Sequence, residues 1–279
     1  MKTILVPTGS HEQMRAALVA ALTLAQQFDS YIEGFALRFR VNEFIAVDMA
    51  GAIPLETLRE ESIDEGRRAR ALFESFMEEN AVPHGDAGTA SLSYGWCEDA
   101  PEGEDFVGSH GRVFDVIVMS RSETNAAGLH ERAIESGLFD SGRPVLIAGP
   151  APVPRIGTNV LLHWNCSTEQ ARVTAFAMPL LRKASRITVL HVEGGTMVPG
   201  PGAAEAARHL QRNGLNAELL AVGLEGRSTG EAILATARSL GCDLLVKGAY
   251  TQSRLRQMIF GGATRHILAH ATLPVLMAN

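Results

Sequence analysis

Between Lys247 and Leu268 the chain reads KGAYTQSRLRQMIFGGATRHIL, directly after the apolar run Asp243-Leu244-Leu245-Val246. Glycines stand at Gly248, Gly261 and Gly262, and a helical pattern follows them. A residue without Cβ lets the backbone lie close to a ligand. A helix start offers free N–H groups and the positive end of its dipole, which favour an anion. Thr264 adds a hydroxyl, and Arg254, Arg256 and Arg265 add positive charge. This pattern suits the holding of a phosphate. The plainer reading is that the glycines only make turns.

Other chemistry-bearing residues are weaker candidates. His163 and His191 each end a predicted strand and could face one cleft, as ligand contacts or as packed, hydrogen-bonded side chains. His266 and His270 lie four apart on a helical pattern, yet no third ligand or carboxylate is near them in sequence, so helix-end positions suit them better. Ser10-His11 and Ser109-His110 are adjacent, the wrong geometry for a nucleophile and its base, and no GxSxG elbow exists. The GxxxxGK[ST] loop and the GxGxxG fingerprint are also missing, which disfavours a standard ATPase or dehydrogenase. Cys97, Cys166 and Cys242 are far apart and odd in number, with no CxxC, so neither a disulfide framework nor a thiolate zinc site is expected. Cys166 reads as a small apolar residue.

The elements that position these residues repeat along the chain. Asp115-Val116-Ile117-Val118-Met119 resembles Asp243-Leu244-Leu245-Val246-Lys247, and Arg143-Pro144-Val145-Leu146-Ile147-Ala148 resembles Leu273-Pro274-Val275-Leu276-Met277-Ala278 at nearly the same spacing. Ile4-Leu5-Val6 and Val160-Leu161-Leu162 open the two halves, so the first half carries an insertion between Arg40 and Pro83. Within it, the acidic, Arg-rich stretch Leu55 to Glu79 reads as one long helix. In the second half strands are expected near 158–163, 186–192, 216–221, 243–247 and 274–278, and helices near 168–183, 203–213, 229–240 and 261–271. Ser228-Thr229-Gly230-Glu231 fits a capping box, and Gly214 and Gly241 fit helix stops. Such alternation predicts two tandem α/β units, each an open five-stranded, mainly parallel sheet with helices on both faces. The proline-rich linker Gly149–Pro154 divides them into residues 1–150 and 155–279. In such sheets ligands bind beyond the carboxyl ends of the strands.

With the loop placed after a strand and before a helix, the second half resembles the universal stress protein family. That family carries a glycine, two residues, a glycine, nine residues, then a glycine followed by Ser or Thr. Here Gly248, Thr251, Gly261 and Gly262 keep the spacing. The resemblance extends more faintly to the first half, as in tandem members, and implies the adenine nucleotide alpha hydrolase-like fold. It implies that Asn165 and Val192 frame an adenine, with His163 beside them. Gly248 and Thr251 would border the ribose and α-phosphate, with Lys247 among the binding residues, and Gly261, Gly262, Ala263 and Thr264 would donate to the phosphates. Three departures weaken the match. Thr251 replaces a glycine, Gly262 replaces the hydroxyl residue, and Cys166 replaces the glycine after Asn165. The first half lacks the signature after Ser120-Arg121-Ser122-Glu123, has Thr8 where the acid stands, and carries Glu123 and Glu131 where they would repel phosphate. It is expected to be a structural partner in an intramolecular pseudo-dimer.

A net charge of −6 with mixed signs and no basic block argues against a nucleic-acid partner. No apolar run reaches the roughly 18 residues of a membrane span, and the start has no signal-peptide order, so a cytoplasmic protein is expected. The cofactor expected is ATP or AMP, with magnesium accompanying ATP, and the terminal strand Pro274–Ala278 offers an edge for an optional homodimer. No catalytic or metal-binding set stands out, so at most slow ATP hydrolysis is expected. The alternative is a non-nucleotide universal stress protein, acting as a protein-interaction module or a binder of a small apolar ligand.

Overall fold

The computed structural model describes residues 1–41, 55–85, 91–121, 128–250 and 262–279. Thr251, Arg254, Arg256, Gly261 and Glu123 lie outside the described residues. The chain divides into two compact units, Met1–Pro152 and Val153–Asn279. No helix is long and apolar enough to cross a membrane among the described residues.

The first unit runs β1 (Thr3–Thr8), α1 (Met14–Phe28), β2 (Tyr31–Ala36), α2 (Leu55–Glu79), β3 (Ser93–Trp96), α3 (Asp105–Gly111), β4 (Val116–Met119), α4 (Leu129–Asp140) and β5 (Val145–Ile147). Its strands are parallel, in the order β3-β2-β1-β4-β5. The long helix expected between Leu55 and Glu79 is α2. It buries Leu58, Ala69, Phe73, Phe76 and Met77 along one side. Its other side carries the pairs Arg59–Glu56, Arg67–Asp64, Arg68–Glu65 and Arg70–Glu74. Such exposed pairs each contribute under about 1 kcal/mol, so the apolar stripe holds the helix in place.

The second unit runs β6 (Asn159–His163), α5 (Thr168–Leu181), β7 (Arg186–Glu193), α6 (Ala203–Arg212), β8 (Ala217–Gly223), α7 (Thr229–Ser239), β9 (Leu244–Gly248), α8 (Gly262–His270) and β10 (Val275–Ala278). Its order is β10-β9-β6-β7-β8, again all parallel. Both units therefore follow one doubly wound plan. The first strand of each has its second strand on one side and its fourth on the other. The chain reverses its direction of travel across the sheet there, and a crevice opens at the carboxyl ends. The central strands are runs of Val, Leu and Ile with no polar alternation, as covering on both faces requires.

Local signals fix the helix ends. The Ser228 hydroxyl accepts from Glu231 N–H while the Glu231 carboxylate accepts from Ser228 N–H at 2.7 Å, the reciprocal box expected at α7. Gly214 and Gly241 follow α6 and α7 with φ of +79° and +61°, the left-handed turn that stops a helix.

The opposite end of each sheet is held by an aspartate. The Asp243 carboxylate, just before β9, accepts from the backbone N–H groups of Gly157 (3.0 Å), Thr158 (2.9 Å) and Asn159 (3.0 Å) at the start of β6. Asp115, just before β4, accepts from Lys2 N–H and from Thr3 N–H at 3.2 Å at the start of β1. Hydrogen bonds to a charged acceptor contribute about 1.5–3 kcal/mol. Asp243→Ala is expected to lower unfolding stability by about 2 kcal/mol, read as a shift of the urea midpoint. An unchanged midpoint would show that solvent serves these N–H groups equally well.

Candidate functional site

In the second unit the carboxyl ends of β6 and β9 flank the crevice. The register sets Leu162 beside Val246 and His163 beside Leu190. Pleating therefore points His163 to the same face as Leu190 and Val192, and His191 to the other. The two histidines lie close enough for His191 to depress the protonation of His163, though their side chains leave opposite faces of the sheet. The difference is a single residue of register, which sequence does not reveal.

Lys247 is the central charge. Its side chain is 5% exposed, and Nζ donates to the Gly248 carbonyl at 2.8 Å and to Thr264 Oγ1 at 3.0 Å. Burial lowers its pKa to about 8. At neutral pH it is still a cation, held against the first turn of α8. Thr264 Oγ1 thus accepts from the ammonium, and a hydroxyl that accepts can also donate. Gly262, Ala263 and Thr264 form that turn, and no described residue lies within 4 Å of the position a Gly262 Cβ would take.

Gly248 also lies against a helix. A Cβ there would sit 2.6 Å from Gln170 N and 2.9 Å from the carbonyl carbon of Glu169. Its N–H donates to Gln170 Oε1 at 2.7 Å. The glycine thus lets β9 press against the first turn of α5. That turn is itself capped by Ser167, whose hydroxyl accepts from Gln170 N–H at 3.1 Å.

The loop after β6 is drawn tight. Asn165 Oδ1 accepts from Ser167 N–H at 3.3 Å, and its carbonyl accepts from Val198 N–H at 3.2 Å. Between them Cys166 has φ +66°, a left-handed conformation that suits the glycine it replaces. Trp164 Nε1 donates to the Pro201 carbonyl at 2.8 Å, closing the loop after β7 over the loop after β6. Val192 is buried, and its carbonyl accepts from Gly195 N–H at 3.1 Å. Beyond β9, Tyr250 has φ +54°, and Asn279 Nδ2 donates to the carbonyls of Ala249 and Tyr250. His266 and His270 stack 4.3 Å apart on α8 with His270 Nδ1 at 2.9 Å from its own helix's His266 carbonyl oxygen, a helix-end arrangement.

The first unit carries other chemistry at its corresponding edge. His11, after β1, places Nε2 3.0 Å from Ser120 Oγ, after β4, and 3.1 Å from His130 Nε2 on α4. Glu65 on α2 accepts from Ser10 N–H at 2.8 Å and Ser10 Oγ at 2.6 Å. Burial lowers the pKa of His130 to about 4, reinforced by His11, and lowers that of His11 against the opposing pull of Glu65. One nitrogen of His11 is shared by Ser120 and His130, whereas a general base needs an acid on its other nitrogen. Motif reading missed this cluster because its members come from β1, β4, α2 and α4. The one signal available was that His11 and Ser120 both follow predicted strands.

An open, doubly wound parallel sheet with a crevice at the switch point defines the class of protein. Residues 159–279 match the Universal stress protein family, and the second unit is a domain of that family. Among solved structures, a universal stress protein from Archaeoglobus fulgidus DSM 4304 superposes with a TM-score of 0.74 at 15% identity, over 99% of this chain and 96% of that one. A putative universal stress protein from Pseudomonas aeruginosa UCBPP-PA14 superposes with a TM-score of 0.54 at 16% identity, over 100% of this chain and 93% of that one. At these identities the likeness is one of fold, and it extends through the first unit. No curated protein matches by sequence.

Two outcomes test this arrangement. Gly248→Ala should lower unfolding stability by about 3 kcal/mol, because its methyl meets helix backbone rather than a flexible side chain; a loss under 1 kcal/mol in denaturant would mean that α5 can recede. Burial, aided by Lys247 and His191, lowers the pKa of His163 to about 3, well below its usual 6.5. The folded state therefore binds fewer protons than the unfolded one between those values. This contribution to stability is complete above pH 6.5 and is lost as pH falls toward 3. His163→Leu should flatten the acid limb of the urea midpoint against pH over that window, and an unchanged slope would show that the histidine is protonated in the fold.

Proposed function

We propose that the second unit binds an adenine nucleotide, ATP or AMP, in the crevice at the carboxyl ends of β6, β7 and β9, and holds it without efficient turnover. The observation that carries the reading is the relay from Lys247 through the Thr264 hydroxyl to the open first turn of α8. A buried cation, an oriented hydroxyl and a helix start converge where an anion would gain from all three. Gly248 and Gly262 bracket the loop whose spacing matches the family signature, with Thr251 and Gly261 inside it. Asn165 and Val192 at the ends of β6 and β7 would border the base, with His163 beside them. Ala263 and Gly262 would offer backbone N–H groups to phosphate. Magnesium would enter with ATP, held largely by the phosphates.

Binding rather than hydrolysis is inferred because the polar groups at the crevice are committed to the fold. Lys247 is spent on Gly248 and Thr264, Asn165 Oδ1 on Ser167, and Ser167 on the α5 cap. His163 lies 4% exposed beneath the sheet edge and is kept neutral. We place this nucleotide-holding role in the cytoplasm, as part of a stress response.

The test is thermal unfolding with ATP, ADP and AMP at up to millimolar concentration. A ligand at about a hundredfold its Kd adds about 2.7 kcal/mol, a readily measured rise in Tm. Gly262→Asp separates binding from folding. Its new side chain meets no described residue and places a carboxylate at a helix start, which a helix favours. The variant should keep the nucleotide-free Tm and lose the nucleotide-induced rise. No rise in the parent protein would leave the non-nucleotide reading, and an undiminished rise in the variant would place the nucleotide elsewhere.

A further inference from the structure

The first unit holds a second cluster, remote in sequence from the histidine pair and unused by nucleotide binding. Glu33 lies on β2, Cys97 follows β3, and His110 lies on α3. One carboxylate oxygen, the thiol sulfur and one imidazole nitrogen from these residues all lie within 4.8 Å of one another. Glu33 Oε1 is 2.6 Å from His110 Nε2. The spacing of the three residues along the chain gives no hint of this meeting, which the order of β3 beside β2 creates.

The surroundings hold each group in place. Cys97 N–H donates to the Gly34 carbonyl at 2.8 Å, which continues the β2–β3 ladder and fixes the cysteine at its end. The Asp99 backbone N–H bonds the sulfur and favours a thiolate. Tyr31 OH donates to Glu33 Oε2 at 3.0 Å, leaving Oε1 directed at the cluster. Phe106 stacks on the His110 ring at 4.6 Å and 12°, and Phe114 tilts against it at 5.2 Å. An orienting bond on the carboxylate and an apolar wall on the imidazole are what metal centres place around their ligands. His110 and Glu33 are 27% and 15% exposed at the side chain, so the cluster has an entry path.

We propose that Glu33, Cys97 and His110 bind a zinc ion. A mixed sulfur, nitrogen and oxygen donor set suits Zn2+, whereas an all-oxygen set would suit magnesium or calcium. Burial raises the Cys97 thiol, and the nearby charges of Glu33 and Asp99 raise it further. A divalent cation reverses that balance and releases the thiol proton to solvent. On a tetrahedral ion the nitrogen and oxygen ligands stand about 3.3 Å apart, so the imidazole and carboxylate need to part by less than about 1 Å. Three protein ligands leave the fourth position to water, an open rather than a closed centre. The ion would also fasten α3 to β2 and to the end of β3.

The experiment uses the full chain, reduced and stripped of metal. It is titrated with Co2+ as a spectroscopic probe and with Zn2+ against a chromophoric chelator. One Co2+ per chain should bind with strong tetrahedral visible bands and a near-ultraviolet sulfur-to-cobalt charge-transfer band. Cys97→Ser should abolish the charge-transfer band, and His110→Gln should weaken Zn2+ binding at least about tenfold. Cys166→Ser and Cys242→Ser should change neither. A weak octahedral spectrum, or a charge-transfer band that survives Cys97→Ser, overturns the site. Should the variants fold poorly, alkylation of the parent protein followed by mass spectrometry still decides: Zn2+ should shield Cys97, and equal labelling with and without Zn2+ overturns the proposal.

Discussion

Each sheet in this protein is aligned from the end opposite its crevice. In the second unit one carboxylate, Asp243, gathers three successive backbone N–H groups from Gly157 to Asn159. That bond set joins the start of β6 to the start of β9 and so fixes their register. A strand with both faces buried cannot slip by one residue without turning every side chain to the wrong face. The register then propagates to the other end, where His163, Lys247 and Gly248 must emerge level with one another. Asp115 does the same for β1 and β4, and there it aligns Thr8 with Ser120. The crevice chemistry is thus set by an interaction at the far end of the strands.

At the crevice itself the costly element is the ammonium of Lys247. An isolated buried charge is penalised by several kcal/mol, and this one persists because two oxygens accept from it. One of them is the carbonyl of its own neighbour, Gly248, and the other belongs to α8. The lysine therefore links strand β9 to helix α8. It also commits the first turn of α8 to a fixed place relative to β9. A helix start held in this way is pre-oriented for an anion, which lowers the ordering cost of binding.

Much of this was legible in the sequence, and the reasons are specific. The apolar runs at Val160–Leu162 and Leu244–Val246 mark central strands because two-sided burial demands uninterrupted Val and Leu. The Ser228–Glu231 box and the turn at Gly241 bound α7 because both are local, and local interactions are written in adjacent residues. Long α2 was legible because its apolar stripe recurs at the helical period. What could not be read was any contact between distant segments. The closeness of Gly248 to the α5 backbone, the division of His163 and His191 between faces, and the meetings of His11 with Ser120 and of Glu33 with Cys97 all depend on register and crossing geometry. The glycine at 248 was noticed for the right property, its missing Cβ, but the neighbour that requires it is a helix. Cys166 illustrates the converse: its left-handed backbone was signalled only by the family's glycine, not by the residue present.

The two units share a plan but place different bases at their crevices. In the second, Lys247 keeps its charge at neutral pH, because even after burial its pKa stays near 8. In the first, His130 is pushed to about 4 and His11 is lowered too, so both imidazoles are neutral at the same pH. Beside them lie the Glu65 carboxylate, paired with Arg68 and bonded by Ser10, and, after Ser120, the Arg121 guanidinium, which burial lowers only to about 10. Burial acts in the same direction on all three bases, yet the outcome differs because a lysine starts about four pH units higher than a histidine. A common desolvation therefore leaves the lysine of one crevice charged and the imidazoles of the other neutral. Two units of one plan thus differ in charge at the strand ends through the base each places there, lysine in one and histidine in the other.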